Sequence, residues 1–227
     1  GSIVVLHACC HNPTGADLSE AQWKEVVGII RARGLVAFID MAYQGFADGI
    51  EPDALALRLF AASGLQFFVS SSFSKSFSLY GERVGALSIV TASRDESARV
   101  MSQVKRVVRT NYSNPPTHGG AVVAAVLASP ELRKLWEEEL AGMRERIRAM
   151  RTGLVDKLKA RGVAQDFAFV ARQRGMFSYT GLTAEQVERL KSEFGIYAVS
   201  TGRICLAALN TRNLDYVADA IAAVIRK

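Results

Sequence analysis

The amino-acid sequence predicts an α/β protein with helices on both faces of a largely parallel sheet, followed by a smaller α+β unit. Strand-like apolar runs alternate with amphipathic helical segments through residue 91, and three of these runs are continuously β-branched or aromatic. Strands covered on both faces have such continuous runs, whereas strands with one exposed face alternate apolar and polar residues. From residue 93 onward most segments have helical periodicity, so a second region with a different architecture is expected.

The first region is expected to contain four buried strands, over residues 3–9, 35–40, 65–70 and 83–91. A helix is predicted from its N-cap at Ser19 to Arg33, with Gly34 as its C-terminal signal. A shorter helix is predicted to begin at Asp53 and to end at Ser63.

The second region begins with helices predicted over residues 93–109 and 117–127, and a longer one from Pro130 to Arg161. Some 30 residues is long for a helix of a globular protein, so we interpret it as a connector between two domains. The boundary is placed near residue 142, which divides the chain into domains 1–142 and 143–227. The second domain is expected to have strand-like residues at 167–181, 196–199 and 204–209, a helix capped by Thr183, and a last helix from Leu214.

Composition and charge narrow the class of protein. Hydrophobic residues make up 49% and charged residues 22% of the chain, which favours a globular protein. No apolar run approaches the ~20 residues of a bilayer span, and no signal peptide is expected because the first residues lack a basic region. The net charge is +6, but the cations alternate with acidic residues on helix faces, so we predict neither nucleic-acid nor membrane partners. The three cysteines form no disulfide framework, and a reducing, cytoplasmic setting is expected.

The most informative stretch is SSSFSKSFSLYGERVGAL at residues 70–87. It follows a buried strand, and ligands in open α/β sheets bind beyond the carboxyl ends of the strands. Ser72 and Ser74 offer hydroxyls to an anion, Lys75 offers a nucleophilic amine, and Arg83 offers a fork for phosphate. A lysine in a Ser-rich loop is commonly just solvated, so this stretch alone leaves both interpretations open.

A second candidate is Asp40, which ends the apolar strand in FIDMAY at residues 38–43. A carboxylate at this place either caps a neighbouring element or belongs to an active site. In an active site it would keep a heterocyclic nitrogen protonated. Tyr43 follows three residues later and could face the same place.

The third candidate is HACCHNPTG at residues 7–15. His7, Cys9 and His11 share one face of a strand, but ligands from one strand with no further His or Cys cluster make a poor metal site. We therefore predict no metal. Asn12 begins a tight turn at a strand end, where its amide either only supports the turn or hydrogen-bonds a ligand.

Taken together, these motifs resemble the class I aminotransferases of the aspartate and aromatic amino acid group. HNPTG is followed by Asp-x-x-Tyr 28 residues after Asn12, by SFSK with an arginine eight residues after Lys75, and by Gly-Arg near the C-terminus. The resemblance extends over essentially all 227 residues, including 111–116, 174–182 and 200–211. SFSKSFSLYGERVG and GMFSYTGL are most similar to the bacterial tyrosine, or aromatic, aminotransferases.

The resemblance implies fold type I of the pyridoxal-phosphate enzymes, with residues 1–142 forming part of the large cofactor-binding domain. It implies that Lys75 binds pyridoxal 5′-phosphate as a Schiff base and shuttles the substrate proton. Asp40 would pair with the pyridinium nitrogen, and Tyr43 and Asn12 would hydrogen-bond the ring oxygen of the cofactor.

Further residues carry implied roles at the phosphate and the substrate. Ser72, Ser74 and Arg83 would hold the cofactor phosphate. Arg203 would bind the substrate α-carboxylate, Asn12 would assist there, and Phe177 would line the substrate pocket or be a plain core residue. His7 and His11 would support Asp40.

The resemblance also implies an assembly and a substrate class. Arg109 would reach the partner subunit of a homodimer and bind the side-chain carboxylate of acidic substrates, although by sequence alone it is only a basic residue at a helix end. The expected reaction transfers an amino group from aromatic or acidic L-amino acids to a 2-oxo acid such as 2-oxoglutarate. A decarboxylase or lyase that uses the same cofactor is the competing enzyme.

The chain departs from the family in its length. The N-terminal arm, the phosphate-binding turn rich in Gly, Ser and Thr, and the aromatic residue that stacks on the pyridine ring do not occur in it. We therefore expect the 227-residue chain by itself to bind the cofactor weakly or not at all. The alternative is a chain without activity of its own that acts only in dimerisation.

Overall fold

A computed structural model describes residues 1–226, which divide into two compact units. The first unit comprises Gly1–Ala8, Leu18–Gly45 and Gly49–Leu140, and the second comprises Cys9–Asp17, Phe46–Asp48 and the chain from Ala141 onward. The domain boundary near residue 142 stays a prediction.

The first unit is built on a four-stranded sheet. Its strands are β1 (Ile3–His7), β2 (Val36–Met41), β3 (Phe67–Ser72) and β4 (Gly85–Val90), in that spatial order. β1, β2 and β3 are parallel, and β4 is antiparallel to β3. The predicted, largely parallel sheet is therefore confirmed, with strand ends that differ from the expected ones by one or a few residues.

Six helices contribute to this unit: α1 (Glu20–Ala32), α2 (Ile50–Asp53), α3 (Leu55–Ser63), α4 (Arg94–Asn111), α5 (His118–Ala128) and the first turns of α6 (Pro130–Ala160). Ser19 is the N-cap of α1, as predicted, because its hydroxyl accepts a hydrogen bond from the amide of Gln22. The single helix expected from Asp53 to Ser63 is wrong at its start. Asp53 is the last residue of α2, where its buried carboxylate accepts hydrogen bonds from the amides of Gly45 and Gly49.

The core of the first unit lies between the sheet and the two helices α1 and α3. Trp23, Phe60 and Phe67 are nearly completely buried, and Ile39 of the central strand is fully buried. The ring of Phe60 lies 6.5 Å from that of Trp23 and 5.4 Å from that of Phe67, measured between centroids. Apolar residues of the strands and helices therefore hold the sheet against one layer of helices.

Within the described residues, the second unit contains the rest of α6, three further α-helices and one short pair of antiparallel strands. These elements are α7 (Ala168–Arg172), β5 (Phe177–Tyr179), α8 (Ala184–Phe194), β6 (Arg203–Cys205) and α9 (Leu214–Ile225). β5 and β6 are antiparallel, with Phe177 opposite Cys205 and Tyr179 opposite Arg203. The predicted cap of α8 at Thr183 is confirmed, since its hydroxyl accepts from the amide of Gln186.

Two strand predictions in this unit are wrong. Residues 168–172 form helix α7, which buries Val170 and is preceded by the buried N-cap residue Phe167. Only residues 177–179 of the expected strand-like stretch form a strand. Residues 196–199 form no strand. Gly195 ends α8 in the left-handed conformation, and the amide of Ile196 turns back to the carbonyl of Leu190.

The third expected strand of this unit, residues 204–209, is also much shorter than predicted. Strand β6 ends at Cys205, and Leu206–Ala208 form a 3₁₀ turn. Leu206 is fully buried in this turn. The apolar residues 206–208, which are expected to continue the strand, therefore form a 3₁₀ turn instead.

No helix within residues 1–226 combines the length and apolar character that crossing a membrane requires.

The core assignment is testable by a truncation. We expect Phe60→Ala to lower the free energy of unfolding by about 3–5 kcal/mol, because a fully buried aromatic ring leaves a cavity when it is removed. Ile29→Ala on α1, where the side chain is exposed, serves as the matched control and should change stability by about 0.5 kcal/mol or less. Urea unfolding followed by circular dichroism measures both, and equal losses would contradict the assignment.

Candidate active site

The first set of predicted site residues lies at the carboxyl ends of β2 and β3. Asp40, the penultimate residue of β2, is in register with His7 of β1 and with Ser70 of β3. One carboxylate oxygen of Asp40 accepts a hydrogen bond of 2.9 Å from the amide of Ala42. Parallel pairing therefore brings Asp40 beside the Ser-rich stretch that leads to Lys75.

Lys75 and Tyr43 contact each other in this unit. The Nζ atom of Lys75 lies 4.8 Å from the centroid of the Tyr43 ring, within the range of a cation–π interaction. Tyr43 is buried, with 6% of its surface exposed, and Lys75 is half-buried. A half-buried amine held against an aromatic face has few rotamers, so it is a better-positioned nucleophile than a solvated lysine.

Ser72, Ser74 and Arg83 come from the adjoining ends of β3 and β4. The Ser72 hydroxyl accepts a hydrogen bond of 3.2 Å from the amide of Ser74, which is buried. The guanidinium of Arg83 is exposed and donates to the carbonyl of Tyr80 over 2.8 Å. Two hydroxyls and a guanidinium thus flank the segment that carries Lys75, which is a donor set suited to an oxyanion.

Gly85 allows the pairing that places Arg83 there. It lies opposite Ser72, and a Cβ at this position would be 2.7 Å from the carbonyl oxygen of Ser71. Only a residue without a side chain fits so close to the neighbouring strand.

The second set of predicted residues lies in the second unit, where Arg203, Asn12 and Phe177 contact one another. Arg203 donates a hydrogen bond of 3.1 Å to the side-chain oxygen of Asn12. Its guanidinium carbon lies 4.8 Å from the centroid of the Phe177 ring. The guanidinium is half-buried, stacked on an aromatic face and fixed at one edge, an arrangement that suits planar recognition of a carboxylate.

The loop that carries Asn12 is folded around the carboxylate of Asp17. The two oxygens of Asp17 accept hydrogen bonds from the amides of Cys10 and His11, over 2.7 Å and 2.8 Å. The His11 ring bonds the Thr14 hydroxyl over 2.7 Å. His11 therefore supports its own turn, and its predicted support of Asp40 stays a prediction.

Arg109 lies apart from the other predicted residues of its unit. It is exposed in the last turn of α4 and donates a hydrogen bond of 2.6 Å to the Ser113 hydroxyl. In the part of the chain that the structure describes, it hydrogen-bonds none of the other predicted site residues. Its proposed role toward a partner subunit stays a prediction.

Sequence reasoning missed Arg151, which is the most buried charged residue in the described chain. It lies in the middle of α6 with 2% of its surface exposed, and its guanidinium makes five hydrogen bonds within the second unit. Burial lowers the pKa of Arg151 to about 10, against the opposing influence of Cys10 and Asp17, so it is charged at neutral pH. In the sequence it is one of several arginines in a charged helix, and the one signal of its burial is its helical spacing from the buried apolar residues Ile147 and Leu154.

The fold agrees with what comparison with known proteins shows. A family model described as aminotransferase class I and II matches residues 1–221. The chain belongs to this family.

Its relatives bear the names of two related activities. The chain is 72% identical to an aspartate aminotransferase of Pseudomonas aeruginosa. It is 54% identical to an aromatic-amino-acid aminotransferase of Escherichia coli. Each alignment covers 99% of this chain and 56% of the relative. The chain thus spans about half the length of these curated relatives.

Solved structures show the same fold. An aromatic-amino-acid aminotransferase from Burkholderia pseudomallei, covalently bound to pyridoxal phosphate, is 73% identical with a TM-score of 0.99, and the match covers 100% of this chain and 57% of that one. An aromatic aminotransferase from Psychrobacter, cocrystallised with aspartic acid, is 51% identical with a TM-score of 0.96 over 98% of this chain and 56% of that one. The partial type I fold expected from the sequence is therefore confirmed.

The geometry of the Asn12 loop can be tested through Gly15. This glycine has φ +72°, and a Cβ there would lie 2.5 Å from the carbonyl oxygen of Phe177. We expect Gly15→Ala to lower the free energy of unfolding by about 1–3 kcal/mol, because it adds backbone strain and a clash.

Gly28→Ala is the matched control for this substitution. A Cβ at Gly28 has open space around it in the middle of α1, so the same change should stabilise the protein by roughly 0.5–1 kcal/mol. Denaturant unfolding compares the two variants, and shifts of the same sign would show that the loop is not packed as described.

Proposed function

We propose that the protein containing this chain is a pyridoxal-phosphate-dependent aminotransferase that moves an amino group between aromatic or acidic L-amino acids and a 2-oxo acid such as 2-oxoglutarate. The observation that carries the proposal is the placement of Lys75. Its amine is half-buried against Tyr43, just beyond the end of a strand whose neighbour carries Asp40 as its penultimate residue. Family membership supports the same activity.

The residues of the first unit suit the groups of this cofactor. Pyridoxal phosphate has an aldehyde, a ring nitrogen that is basic, a phenolic oxygen and a phosphate. Lys75 provides an amine, Asp40 a carboxylate and Tyr43 a hydroxyl at one edge of the sheet, and Ser72, Ser74 and Arg83 provide donors for an anion. Each group of the cofactor thus has a chemically matched side chain, which is what a built site requires.

When bound, the cofactor supplies an electrophilic carbon and a ring that withdraws electrons from the substrate Cα. Lys75 would hold it covalently through Nζ. Once its amine is released, Lys75 would take the proton from the substrate Cα and return it elsewhere, as a general base and then a general acid. The contact with Tyr43 limits where Nζ can travel, which keeps the amine within reach of that proton.

Asp40 would hold the ring nitrogen in its protonated form, since a carboxylate next to a basic nitrogen favours the charged pair. The hydrogen bond from the Ala42 amide fixes one oxygen of Asp40 and leaves the other for this purpose. Ser72, Ser74 and Arg83 would bind the phosphate through charge-assisted hydrogen bonds. Together, Asp40 at the ring nitrogen and these donors at the phosphate would limit how the cofactor can turn in the site.

Arg203 would bind the substrate α-carboxylate as a bidentate fork. Its stack on Phe177 and its hydrogen bond to Asn12 leave the guanidinium with a fixed plane and a free edge. A carboxylate held in one plane restricts rotation about the Cα–C bond, so the Cα–H bond keeps one direction. Orientation of that bond decides which bond is cleaved, and amino transfer requires the proton to leave.

The substrate range, assembly and location belong to the same proposal. Relatives named for aspartate and for aromatic amino acids both match the chain, and the Psychrobacter aromatic enzyme was cocrystallised with aspartic acid, which supports acceptance of both substrate types. We also propose that the protein is a homodimer in which Arg109 contributes to the partner's site. The proposed location is the reducing cytoplasm, with which the free cysteines are consistent.

The lysine assignment is tested by Lys75→Ala in the full-length protein. We expect loss of the absorbance of the covalently held cofactor and a fall in turnover of at least about 10²–10⁴-fold, because proton transfer loses its base. Transfer from tyrosine or aspartate to 2-oxoglutarate is the assay, and borohydride reduction with peptide mapping locates the modified residue.

Lys24→Ala is the control for this experiment, since Lys24 is exposed on α1 in a surface ion pair with Glu20 and should leave both signals unchanged. Modification of another lysine, or full turnover by Lys75→Ala, would contradict the mechanism. Cofactor binding with release of carbon dioxide instead of amino transfer would favour a decarboxylase.

The substrate arginine is tested by Arg203→Lys. We expect KM for the amino acid to rise roughly 10- to 100-fold, since an ammonium replaces two parallel charge-assisted hydrogen bonds by one. Cofactor absorbance should not change. Arg212→Lys, an exposed arginine of the same unit, is the control, and an unaltered KM in Arg203→Lys would remove Arg203 from the site.

A further inference from the structure

Arg151 organises the backbone that carries the proposed carboxylate site, which consists of Arg203, Asn12 and Phe177. Its Nη1 donates to the carbonyl of Val170 over 3.0 Å and to the Ser178 hydroxyl over 2.6 Å. Its Nη2 donates to the carbonyls of Arg174, Gly175 and Phe177, over 3.1, 2.7 and 2.8 Å. One side chain therefore fixes the end of α7, the turn that follows it and the first two residues of β5.

This arrangement is a costly way to stabilise a fold. Arg151 is 2% exposed, and its hydrogen-bond acceptors are neutral. Among the described residues no carboxylate forms an ion pair with it, and its Nε atom has no hydrogen-bond partner. A buried charge with no directly paired carboxylate, on which Asp17 acts only through a longer-range attraction, carries a desolvation penalty that an apolar side chain of similar volume would avoid. A role in setting geometry accounts for the guanidinium better than a role in stability alone.

The segment that Arg151 holds is in direct contact with the carboxylate site. Arg151 binds the backbone carbonyl of Phe177. The ring of the same residue lies 4.8 Å from the guanidinium carbon of Arg203. Tyr179, two residues further on, pairs with Arg203 across the β5–β6 ladder. Arg203 thus depends on β5 both through its backbone and through the ring beneath its guanidinium.

The same segment also supports the loop of Asn12. The amide of Arg174 donates to the carbonyl of Gly15 over 2.8 Å. A Cβ at Gly175 would lie 2.4 Å from the Cβ of Cys10, so the backbone of the turn packs directly against the Cys10 side chain of the loop. The loop that carries Asn12, which hydrogen-bonds Arg203, is therefore held against the same turn that Arg151 binds.

We propose that Arg151 is a positioning residue for the carboxylate site: it holds the backbone of residues 174–178 so that Phe177, Asn12 and Arg203 keep the geometry that binds the substrate α-carboxylate. This inference rests on the proposed function, because it assigns to Arg203 the binding of a substrate carboxylate. Arg151 itself contacts neither substrate nor cofactor in this role.

The role requires a guanidinium. Its two terminal nitrogens reach five acceptors on three adjacent segments, whereas a lysine presents its donors at a single atom and cannot reach them all. Lysine at this position keeps the charge and loses most of the geometry. Methionine keeps most of the volume and loses both.

The test uses Arg151→Lys and Arg151→Met in the full-length protein with its cofactor. We expect kcat/KM for amino acid substrates to fall roughly 10- to 100-fold, mostly through KM, because small displacements of an orienting group have effects of this size. The dissociation constant of succinate, a dicarboxylate without an amino group, should rise in parallel when followed by the absorbance of the bound cofactor. That absorbance itself and the cofactor stoichiometry should not change.

Arg148→Lys and Arg148→Met are the matched controls. Arg148 lies three residues earlier on α6, where it forms exposed ion pairs with Asp48 and Glu145, and its replacement should leave KM within about twofold of that of the unmodified enzyme, since surface ion pairs contribute little. A purely structural role for Arg151 would lower the thermal midpoint and the active fraction while KM and the succinate constant stay as they are. That result would overturn the proposal.

A milder variant keeps the test decisive if both Arg151 replacements fail to fold. Ser178→Ala removes one of the five acceptors and leaves the carbonyls, so we expect a rise in KM in the same direction but only severalfold. An unchanged KM in Ser178→Ala, with no folded Arg151 variant, would count against the proposal.

A crystal structure of Arg151→Lys separates this inference from the proposed function. If the unmodified enzyme shows no amino transfer, the proposed function fails, and the crystal structure still decides the geometry. Displacement of the Arg203 guanidinium from Asn12 and from the Phe177 ring supports a positioning role. An unmoved Arg203 overturns it, whatever the enzyme's activity.

Discussion

The parallel pairing of β2 with β3 is the constraint on which the proposed cofactor site depends. It puts Asp40 opposite Ser70, so a strand with a carboxylate at its penultimate residue lies next to a strand that continues toward Lys75. An antiparallel pairing would send these two ends to opposite edges of the sheet. The chemistry proposed for this unit therefore follows from strand direction, which the continuous apolar character of the strands favours because it buries both faces of the sheet.

The carboxylate side depends on a different kind of order. There the strands are three residues long, and so short a ladder cannot fix a guanidinium by itself. The buried cation Arg151 supplies the missing rigidity by binding backbone carbonyls in and before β5, including that of Phe177, whose ring contacts Arg203. Such rigidity costs desolvation free energy, and it is useful where a small error in orientation has a large effect on rate.

The sequence predicts the first unit better than the second, for physical reasons. Strands buried on both faces leave continuous apolar runs, and the motif residues follow directly behind them, so Asp40 and Lys75 can be located by reading along the chain. In the second unit, short apolar runs do not distinguish strands from helices. Residues 168–172 form a helix that buries Val170, with the buried Phe167 at its N-cap, and residues 196–199 continue from a helix end rather than entering a sheet.

Arg151 shows the limit of reading a helix by its charge pattern. It stands in α6 near the exposed arginines Arg146 and Arg148, and as a charged residue of a charged helix it is expected to be exposed as they are, although it lies four residues after the buried Ile147 and three before the buried Leu154. Its burial is decided by residues 19–27 positions away, whose carbonyls and hydroxyl converge on it only after α7 and β5 have formed. An arginine that binds a substrate can be identified from a sequence motif. An arginine that binds the protein's own backbone is identified only in the structure, from the hydrogen-bond acceptors of its buried donors.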